Sequence, residues 1–472
     1  MKIQAVIPDY VQKTAKSLVD EGFECYLVGG AVRDIVLGKI PHDYDLATDA
    51  LPDEMINIFS KSVATGARFG TILALTPDSK NEIHEVEVTT FRSEAGYVDG
   101  RWPSEVEFVV EIDKDLGRRD FTFNAMAIDL SLANLNGFEE EQILQVYDPF
   151  NGITDLNMKL IRAVGTPIER FKEDGLRAVK ACRMAGQLEF DIEEETLEAI
   201  SKSIPIVEMV SMERIRDEFM KLLLYSPKPS KGINLLKETG LLGIFLPELL
   251  ETIGVEQKLF HKYDVYEHSL RTCDIAEDSV KLVALLHDIG KVHTDTKDGH
   301  FYGHDKVGAE MVGEIMRRLK FSTEETEKAQ KLVENHMFYY PHVTESMPGE
   351  EKERIKLNEW SDSAVRRFLR RVGEENVEDL FKLRLADAMS NPSSEYDPKE
   401  IAQLQAHISK VLQQDMALKI SDLKITGDDL AQIGIPRGPK MGEILNRLLD
   451  IVIEDPLKNE TAFLLEEARK MM

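Results

Sequence analysis

Three cysteines in 472 residues, Cys25, Cys182 and Cys273, are too few, odd in number and too widely spaced to frame a disulfide scaffold. They fit reduced thiols, and a cytoplasmic location is expected. No apolar run approaches the roughly 20 residues a membrane span requires, so no membrane partner is expected. Residues 1–10 hold a proline and no long apolar stretch, so no secretory signal is expected there. Positive charge is also scarce: 58 Lys and Arg against 85 Asp and Glu leave a net −27. That deficit opposes broad nucleic-acid binding, because phosphate contacts need Lys and Arg. Neither a fixed-period repeat nor a low-complexity segment is present.

The length implies several domains, since single cores rarely grow past about 250–300 residues. The composition, 43% hydrophobic and 30% charged, is that of an ordinary globular chain. The charge is uneven. Residues 1–150 carry 13 basic and 27 acidic side chains, and residues 151–250 carry 14 and 16. From Arg162 to Arg183 the balance reverses: Arg162, Arg170, Lys172, Arg177, Lys180 and Arg183 outnumber Glu169, Glu173 and Asp174. This stretch is either a local basic strip on an acidic body or a solvated helix face.

Patterning predicts a helix over residues 1–20, strands at 24–28, 44–47, 71–75, 82–90 and 105–110, and helices over 31–37 and from Pro52. Residues 91–103 are read as a loop. After residue 150 helical spacing dominates, with helices over 175–185, 193–201, 213–224 and 230–242 and exposed loops at 348–351 and 390–397. The expected fold class is α+β: a mixed-sheet head at 1–150, then an all-α neck at 151–245, an all-α domain at 255–395 and a helical tail at 400–472.

The most informative segment is 29–45, Gly-Gly-Ala-Val-Arg-Asp through His-Asp-Tyr-Asp. Strand side chains alternate faces, so Asp43 and Asp45 point the same way. Two carboxylates on one face can bind one or two Mg2+ ions, which favour oxygen ligands and support in-line displacement at a triphosphate. Gly29 and Gly30 let backbone N–H groups approach phosphate, with Arg33 one turn into the following helix. A strand–turn–helix bearing surface aspartates is the plainer reading. Two later segments tip the balance: Arg118-Arg119-Asp120, and Glu173-Asp174-Gly-Leu-Arg177, whose Asp174 and Arg177 are expected on one helical face.

With these motifs in order, and with Asp148-Pro-Phe-x-Gly152-x-x-Asp155-Leu156 and Glu213-Arg214-Ile-Arg216-x-Glu218, the chain resembles the class II tRNA nucleotidyltransferase and bacterial poly(A) polymerase family. The resemblance covers about half the chain. It implies a polymerase-β-like nucleotidyltransferase head, a tRNA 3′ end as acceptor, and CTP and ATP as donors. Cytosine and adenine both present an exocyclic amino donor beside a ring-nitrogen acceptor. Asp174 can accept from the first while Arg177 donates to the second; uracil and guanine would leave both unpaired. The resemblance further implies that Asp120 binds the ribose 2′-hydroxyl and that Arg119, Lys180 and Arg183 face the triphosphate. Glu87 is the candidate third carboxylate. The family usually has Arg where Lys180 stands, and Lys keeps the charge without bidentate geometry. Residues 65–71 look like the tRNA-enzyme version of that segment, and 91–103 are not shortened as in members that add only CC. Addition of A alone, poly(A) synthesis, and phosphohydrolysis with a regulatory head remain open alternatives. A tRNA-binding module without catalysis is disfavoured by the intact carboxylates.

Eight of the eleven histidines lie between residues 261 and 342. His268, His287-Asp288, His304 and His336 recur at intervals, and Asp387 follows. Imidazole and carboxylate groups from separate helices can bind one or two transition ions, such as Mn2+, Ni2+, Fe2+ or Co2+. The segment resembles the His-Asp (HD) phosphohydrolase superfamily, which implies phosphatase or cyclic phosphodiesterase chemistry; a relic docking domain is the alternative. Residues 423–442 resemble the tail of tRNA nucleotidyltransferases that carry such a domain, implying a tRNA contact, and equally fit a plain helical connection. Oligomeric state is not legible.

Overall fold

A computed structural model describes residues 1–98, 102–135, 140–257, 262–294, 296, 300–338, 340, 360–391, 399–413 and 418–472. The expected loop at 348–351, and most of the one at 390–397, lie outside them. The chain divides into two compact units, Met1–Pro247 and Glu248–Met472.

The first unit is built on an eight-stranded mixed sheet. Its strands in chain order are β1 (Lys2–Val6), β2 (Cys25–Val28), β3 (Asp45–Thr48), β4 (Ser62–Gly66), β5 (Thr71–Pro77), β6 (Ile83–Thr90), β9 (Ala127–Asp129) and β10 (Glu141–Tyr147), with the hairpin of β7 (Arg92–Val98) and β8 (Trp102–Phe108) forming a separate two-stranded sheet. Across the large sheet the order is β1-β10-β9-β2-β3-β6-β5-β4. The β3–β6 pair is parallel and its neighbours are antiparallel.

Three expectations change here. Residues 2–6 form an edge strand on β10, not part of a helix; Lys-Ile-Gln-Ala-Val alternates half-buried and exposed positions, and the helix Asp9–Asp20 starts only after Pro8. Residues 91–103 are not a loop, since most of them enter the β7–β8 hairpin, whose strands Arg92–Val98 and Trp102–Phe108 pair antiparallel. The neck is not purely helical, because Leu160–Ile161 pairs in parallel with Asp191–Ile192. Its main helices, Leu176–Leu188, Glu194–Lys202, Met212–Tyr225 and Pro229–Glu238, fall where the periodicity placed them.

An apolar cluster of Val28, Ala47, Phe91, Leu116, Ala125, Ala127 and Val164 packs at the central strands β9, β2 and β3. Val28 precedes Gly29, Ala47 lies two residues from Asp45 on β3, and Leu116 two before Arg118. The core therefore fixes the backbone from which the polar groups project. The second unit is helical, and its C-terminal part has a core of its own, including Leu430, Ile444, Leu448, Val452 and Leu464. All three cysteines are buried and unpaired, and burial pushes the Cys182 thiol up to about 12. No described helix is long and apolar enough to cross a membrane.

Phe91→Ala removes a fully buried ring from this support. It should cost about 3–5 kcal/mol of stability, read by urea unfolding of the full chain.

Candidate active site

Strand alternation delivers the first carboxylates. Asp43 and Asp45 are exposed while Tyr44 between them is buried. Leu46 pairs with Val88 across the parallel β3–β6 ladder, so Asp45 and Glu87, one residue earlier on each strand, stand side by side. Glu87 is exposed on the same face, between buried Val86 and Val88. Desolvation by the packed site, with Glu87 and then Asp43 beside it, pushes the Asp45 carboxyl up to about 6; Arg119 and Lys180 pull the other way. A crowd of hard oxygen donors that resists carrying its full charge is what a divalent ion such as Mg2+ relieves, so these residues fit the implied metal.

Gly29 follows β2 with φ 73°, a conformation strained for any other residue, and a Cβ there would also crowd Arg119 Nη1 at 3.0 Å. Arg119 is held from behind by Asp115, a carboxylate with no exposed surface. Asp115 accepts from Arg118 at 2.7 and 3.0 Å and from Arg119 at 3.2 Å. Burial alone would raise its pKa; the two guanidiniums more than offset that and hold it below the ordinary carboxylate range.

A second chain of contacts runs through Asp120. It accepts from the Phe121 N–H at 2.8 Å, from Asn124 Nδ2 at 3.0 Å, and pairs with Lys180 Nζ at 2.5 Å. Burial opposes its ionisation, yet Lys180 and Asn124 keep it well below the usual range. Asn124 Oδ1 in turn accepts from Arg33, whose guanidinium also grips Asp34 at 2.8 and 3.0 Å. Lys180 acts electrostatically on Asp45 and on Glu218 as well, so its single ammonium serves three carboxylates.

Asp174 and Arg177 do not share one helical face. Asp174 ends the helix Pro167–Glu173 in an extended conformation, and Arg177 belongs to the first turn of Leu176–Leu188. Each is held by a different partner. Asp174 accepts from Arg214 Nη2 at 2.7 Å; Arg177 donates to Glu173 Oε2 at 2.6 Å and to the Arg118 carbonyl at 2.8 Å. Arg183 departs further from its expected role at a triphosphate. Its nearly buried guanidinium is taken by Glu218 at 2.5 Å and Gln187 at 2.5 Å, between the helices Leu176–Leu188 and Met212–Tyr225. The basic strip is thus neutralised within the fold. Arg162 pairs with Asp155 and Glu193, Arg170 with Glu173, Lys172 with Glu169, and Lys180 with Asp120. Sequence reasoning missed Asp115, Asn124, Arg214 and Glu218 as site residues. Arg214 and Glu218 stood inside a quoted motif, and Asp115 lies three and four residues before the two arginines it holds.

With this geometry in place, comparison with known proteins is decisive. Residues 25–162 match the poly A polymerase head domain, 189–252 a probable RNA and SrmB-binding site of polymerase A, and 304–468 a putative tRNA nucleotidyltransferase domain 2. The CCA-adding enzyme of Lactococcus lactis subsp. lactis (strain IL1403) is 32% identical over 100% of both chains. The chain belongs to the CCA-adding enzyme family. The CCA-adding enzyme of Pediococcus pentosaceus is likewise 32% identical, over 97% of this chain and 96% of its own. The crystal structure of the Bacillus stearothermophilus CCA-adding enzyme in complex with CTP superposes with a TM-score of 0.68 at 25% identity, covering 98% of this chain and 97% of that one.

The chain carries a second polar cluster in its other unit. His268 projects from the helix Val265–Ile275 and Asp387 from Val377–Ser390, while His287-Asp288 follow Lys281–Leu286, His304 starts His304–Arg318, and His336 caps Thr323–Asn335. All six expected ligands come together around Asp288. The glycine of His287-Asp-Ile-Gly290-Lys291 explains the closeness: a Cβ at Gly290 would sit 2.2 Å from the His304 carbonyl oxygen and 2.5 Å from the Gly308 nitrogen. Lys291 Nζ reaches Asp288 Oδ2 at 2.5 Å and Gln257 Oε1 at 2.6 Å. Burial would raise the Asp288 pKa, but His287 and Lys291 hold it well below the usual range.

The raised Asp45 pKa has two measurable consequences. Its folded value near 6 lies above the ordinary 3.8, so its favourable contribution, from the protonated form, is present below about pH 4 and is lost as pH rises through 6. Asp45→Asn should therefore raise the melting temperature of the magnesium-free protein at pH 8 and leave it unchanged at pH 4, by calorimetry. In the unaltered enzyme, the magnesium concentration giving half-maximal activity should increase as pH falls from 7.5 to 5.5.

Proposed function

We propose that this protein builds and repairs the 3′ CCA end of tRNA without a nucleic-acid template, transferring CMP and AMP from CTP and ATP, in the cytoplasm. The observation that carries this reading is the contact chain joining carboxylates, phosphate-side cations and base-reading groups within one unit. Asp45 stands beside Glu87, Arg119 passes behind Gly29, Lys180 pairs with Asp120, and the Arg118 carbonyl holds Arg177.

Asp43, Asp45 and Glu87 would hold Mg2+, which when bound neutralises the triphosphate and activates the attacking 3′-hydroxyl. Arg119 and Lys180 flank these carboxylates and face the phosphates; Arg183 supports that side by fixing Glu218. Asp120, kept ionised by Lys180 and Asn124, accepts from the ribose 2′-hydroxyl. Asp174 and Arg177 read the base edge. Because Arg214 and Glu173 hold them in separate grips, their spacing is set before a nucleotide arrives, and pyrimidine and purine with the same donor–acceptor edge can use it in turn.

A specific observation also favours a second reading, that the Asp288 cluster holds a transition-metal ion. Nδ1 of His287, His304 and His336 donates to the backbone carbonyls of Ala284, Phe301 and Val333 at 2.8, 2.7 and 2.6 Å. Each Nε2 is thereby turned toward the carboxylates, where in the neutral ring its lone pair can take a metal ion, and His287 Nε2 is buried with no hydrogen-bond partner. A bound ion would supply a lowered water pKa for phosphoester hydrolysis.

Incubation of the enzyme with tRNAs ending before C, after C and after CC, with each labelled triphosphate, should give C, C and A. Incorporation of A alone, and only after CC, would sink the CCA-adding reading; continued A addition would indicate a poly(A) polymerase. Arg214→Ala removes a charge-assisted hydrogen bond, a loss of about 1.5–3 kcal/mol. It should lower kcat/KM for CTP and ATP by roughly 10–100-fold on the same scale, and raise UMP misincorporation.

A further inference from the structure

Asp120 offers its two carboxylate oxygens to different partners. Oδ1 accepts twice, from the Phe121 N–H at 2.8 Å and from Asn124 Nδ2 at 3.0 Å. A carboxylate oxygen has two lone pairs, so Oδ1 is full. Oδ2 lies 2.5 Å from Lys180 Nζ, and among the described residues nothing else bonds to it. A sugar hydroxyl that donates to Asp120 therefore does so at Oδ2, the oxygen Lys180 already holds. The two side chains differ in freedom. That of Asp120 is 10% exposed and fixed by Asn124 and the backbone; that of Lys180 is 35% exposed, an ammonium on a flexible stem. Asp45 and Glu218 feel its charge as well, so it sits between the ribose side and the metal side of the site.

We propose that Lys180 stands in for the ribose 2′-hydroxyl on Asp120 Oδ2, and is thereby the residue that sets how strongly the site rejects deoxynucleotides. The proposal rests on the reading above that Asp120 binds the ribose and Lys180 faces the phosphates.

The direction of the effect follows from what each nucleotide leaves unpaired. A site rejects an analogue lacking a hydroxyl chiefly because its own buried polar group then has no partner. A ribonucleotide puts its 2′-hydroxyl on Oδ2 and releases Lys180 to the triphosphate. With a deoxynucleotide two arrangements compete. If Lys180 goes to the triphosphate, Oδ2 is left buried and unpaired. If Lys180 stays, the carboxylate is satisfied and the triphosphate lacks one cation. The complex takes whichever is lower in free energy, so the loss never exceeds that of the first arrangement. Without Lys180 only an unpaired Oδ2 remains. The lysine therefore caps the penalty for a missing hydroxyl, and removing it widens discrimination while weakening the binding of both nucleotides. A lysine that served the phosphates alone would weaken both equally and leave their ratio unchanged.

The test compares CTP with 2′-deoxy-CTP on the full chain, with tRNA ending before C, as the ratio of their kcat/KM values. Lys180→Met should lower both values and widen the ratio by roughly tenfold or more, the worth of one hydrogen bond to a charged group. Adding Asp120→Asn to that variant should erase the widening. A ratio that Lys180→Met leaves unchanged or narrows, or a widening that survives Asp120→Asn, overturns the proposal. Asp120→Asn alone separates the two levels: a narrowed ratio keeps the ribose role of Asp120 standing, and an unchanged one overturns that role together with the proposal. Where Lys180→Met fails to fold, 2′-deoxy-2′-fluoro-CTP decides the matter in the unaltered enzyme. Fluorine cannot donate, so a bare carboxylate repels it and an ammonium on Oδ2 attracts it. Its KM should not exceed that of 2′-deoxy-CTP; a clearly higher KM overturns the proposal.

Discussion

Asp45 and Glu87 lie side by side on parallel strands, and the rest of the head is arranged around the repulsion between them. Left alone, such a pair would protonate or swing apart. Register prevents the second, since both side chains are pinned to one face by the buried residues alternating with them. Arg119 and Lys180 temper the first, but each of those cations would be lost to solvent without an anchor. Asp115, sealed from water, anchors Arg119; Asp120 anchors Lys180. The apolar cluster around Phe91 packs beside the Asp45 and Asp115 segments. The site is therefore a stack of dependencies, running from hydrophobic packing to charge placement to affinity for a divalent ion.

The other unit solves the same problem with nitrogen. Four imidazoles and two carboxylates come from separate helices, and their outward-facing Nδ1 atoms are tied to carbonyls or to Ser390. In each unit, groups that repel one another are kept close by contacts on their far sides. The two clusters differ in donor chemistry, oxygen alone in one and mixed nitrogen and oxygen in the other.

Much of this was legible because spacing alone carried it. The alternation Asp43-x-Asp45 and the Val86-Glu87-Val88 strand needed only a period of two. The metal-type residues around Asp288 needed only their chemical identity. Other features depend on contacts distant in sequence, and spacing could not reveal them. Nothing local says that Arg214 will grip Asp174, 40 residues away, or that Glu218 will claim Arg183. The helix read across Glu173–Arg177 fails at Asp174, whose side chain accepts from the Leu176 N–H and whose backbone turns extended. Residues 2–6 were read as helix because an edge strand with one half-buried face is too short to show its period. The loop reading of 91–103 fails because Arg92–Val98 shows no clear apolar alternation and pairs only with Trp102–Phe108, outside the main sheet, while the strand expected at 105–110 is part of that pairing.

The internal pairing of the basic strip bears on what this acidic molecule does when idle. A pocket with bare arginines and lysines would draw in any polyanion, from free pyrophosphate to bulk RNA. Here each cation between Arg162 and Arg183 already has a carboxylate against it. An anion approaching this strip therefore meets cations that are already paired, and binding there would require it to displace or join those carboxylates.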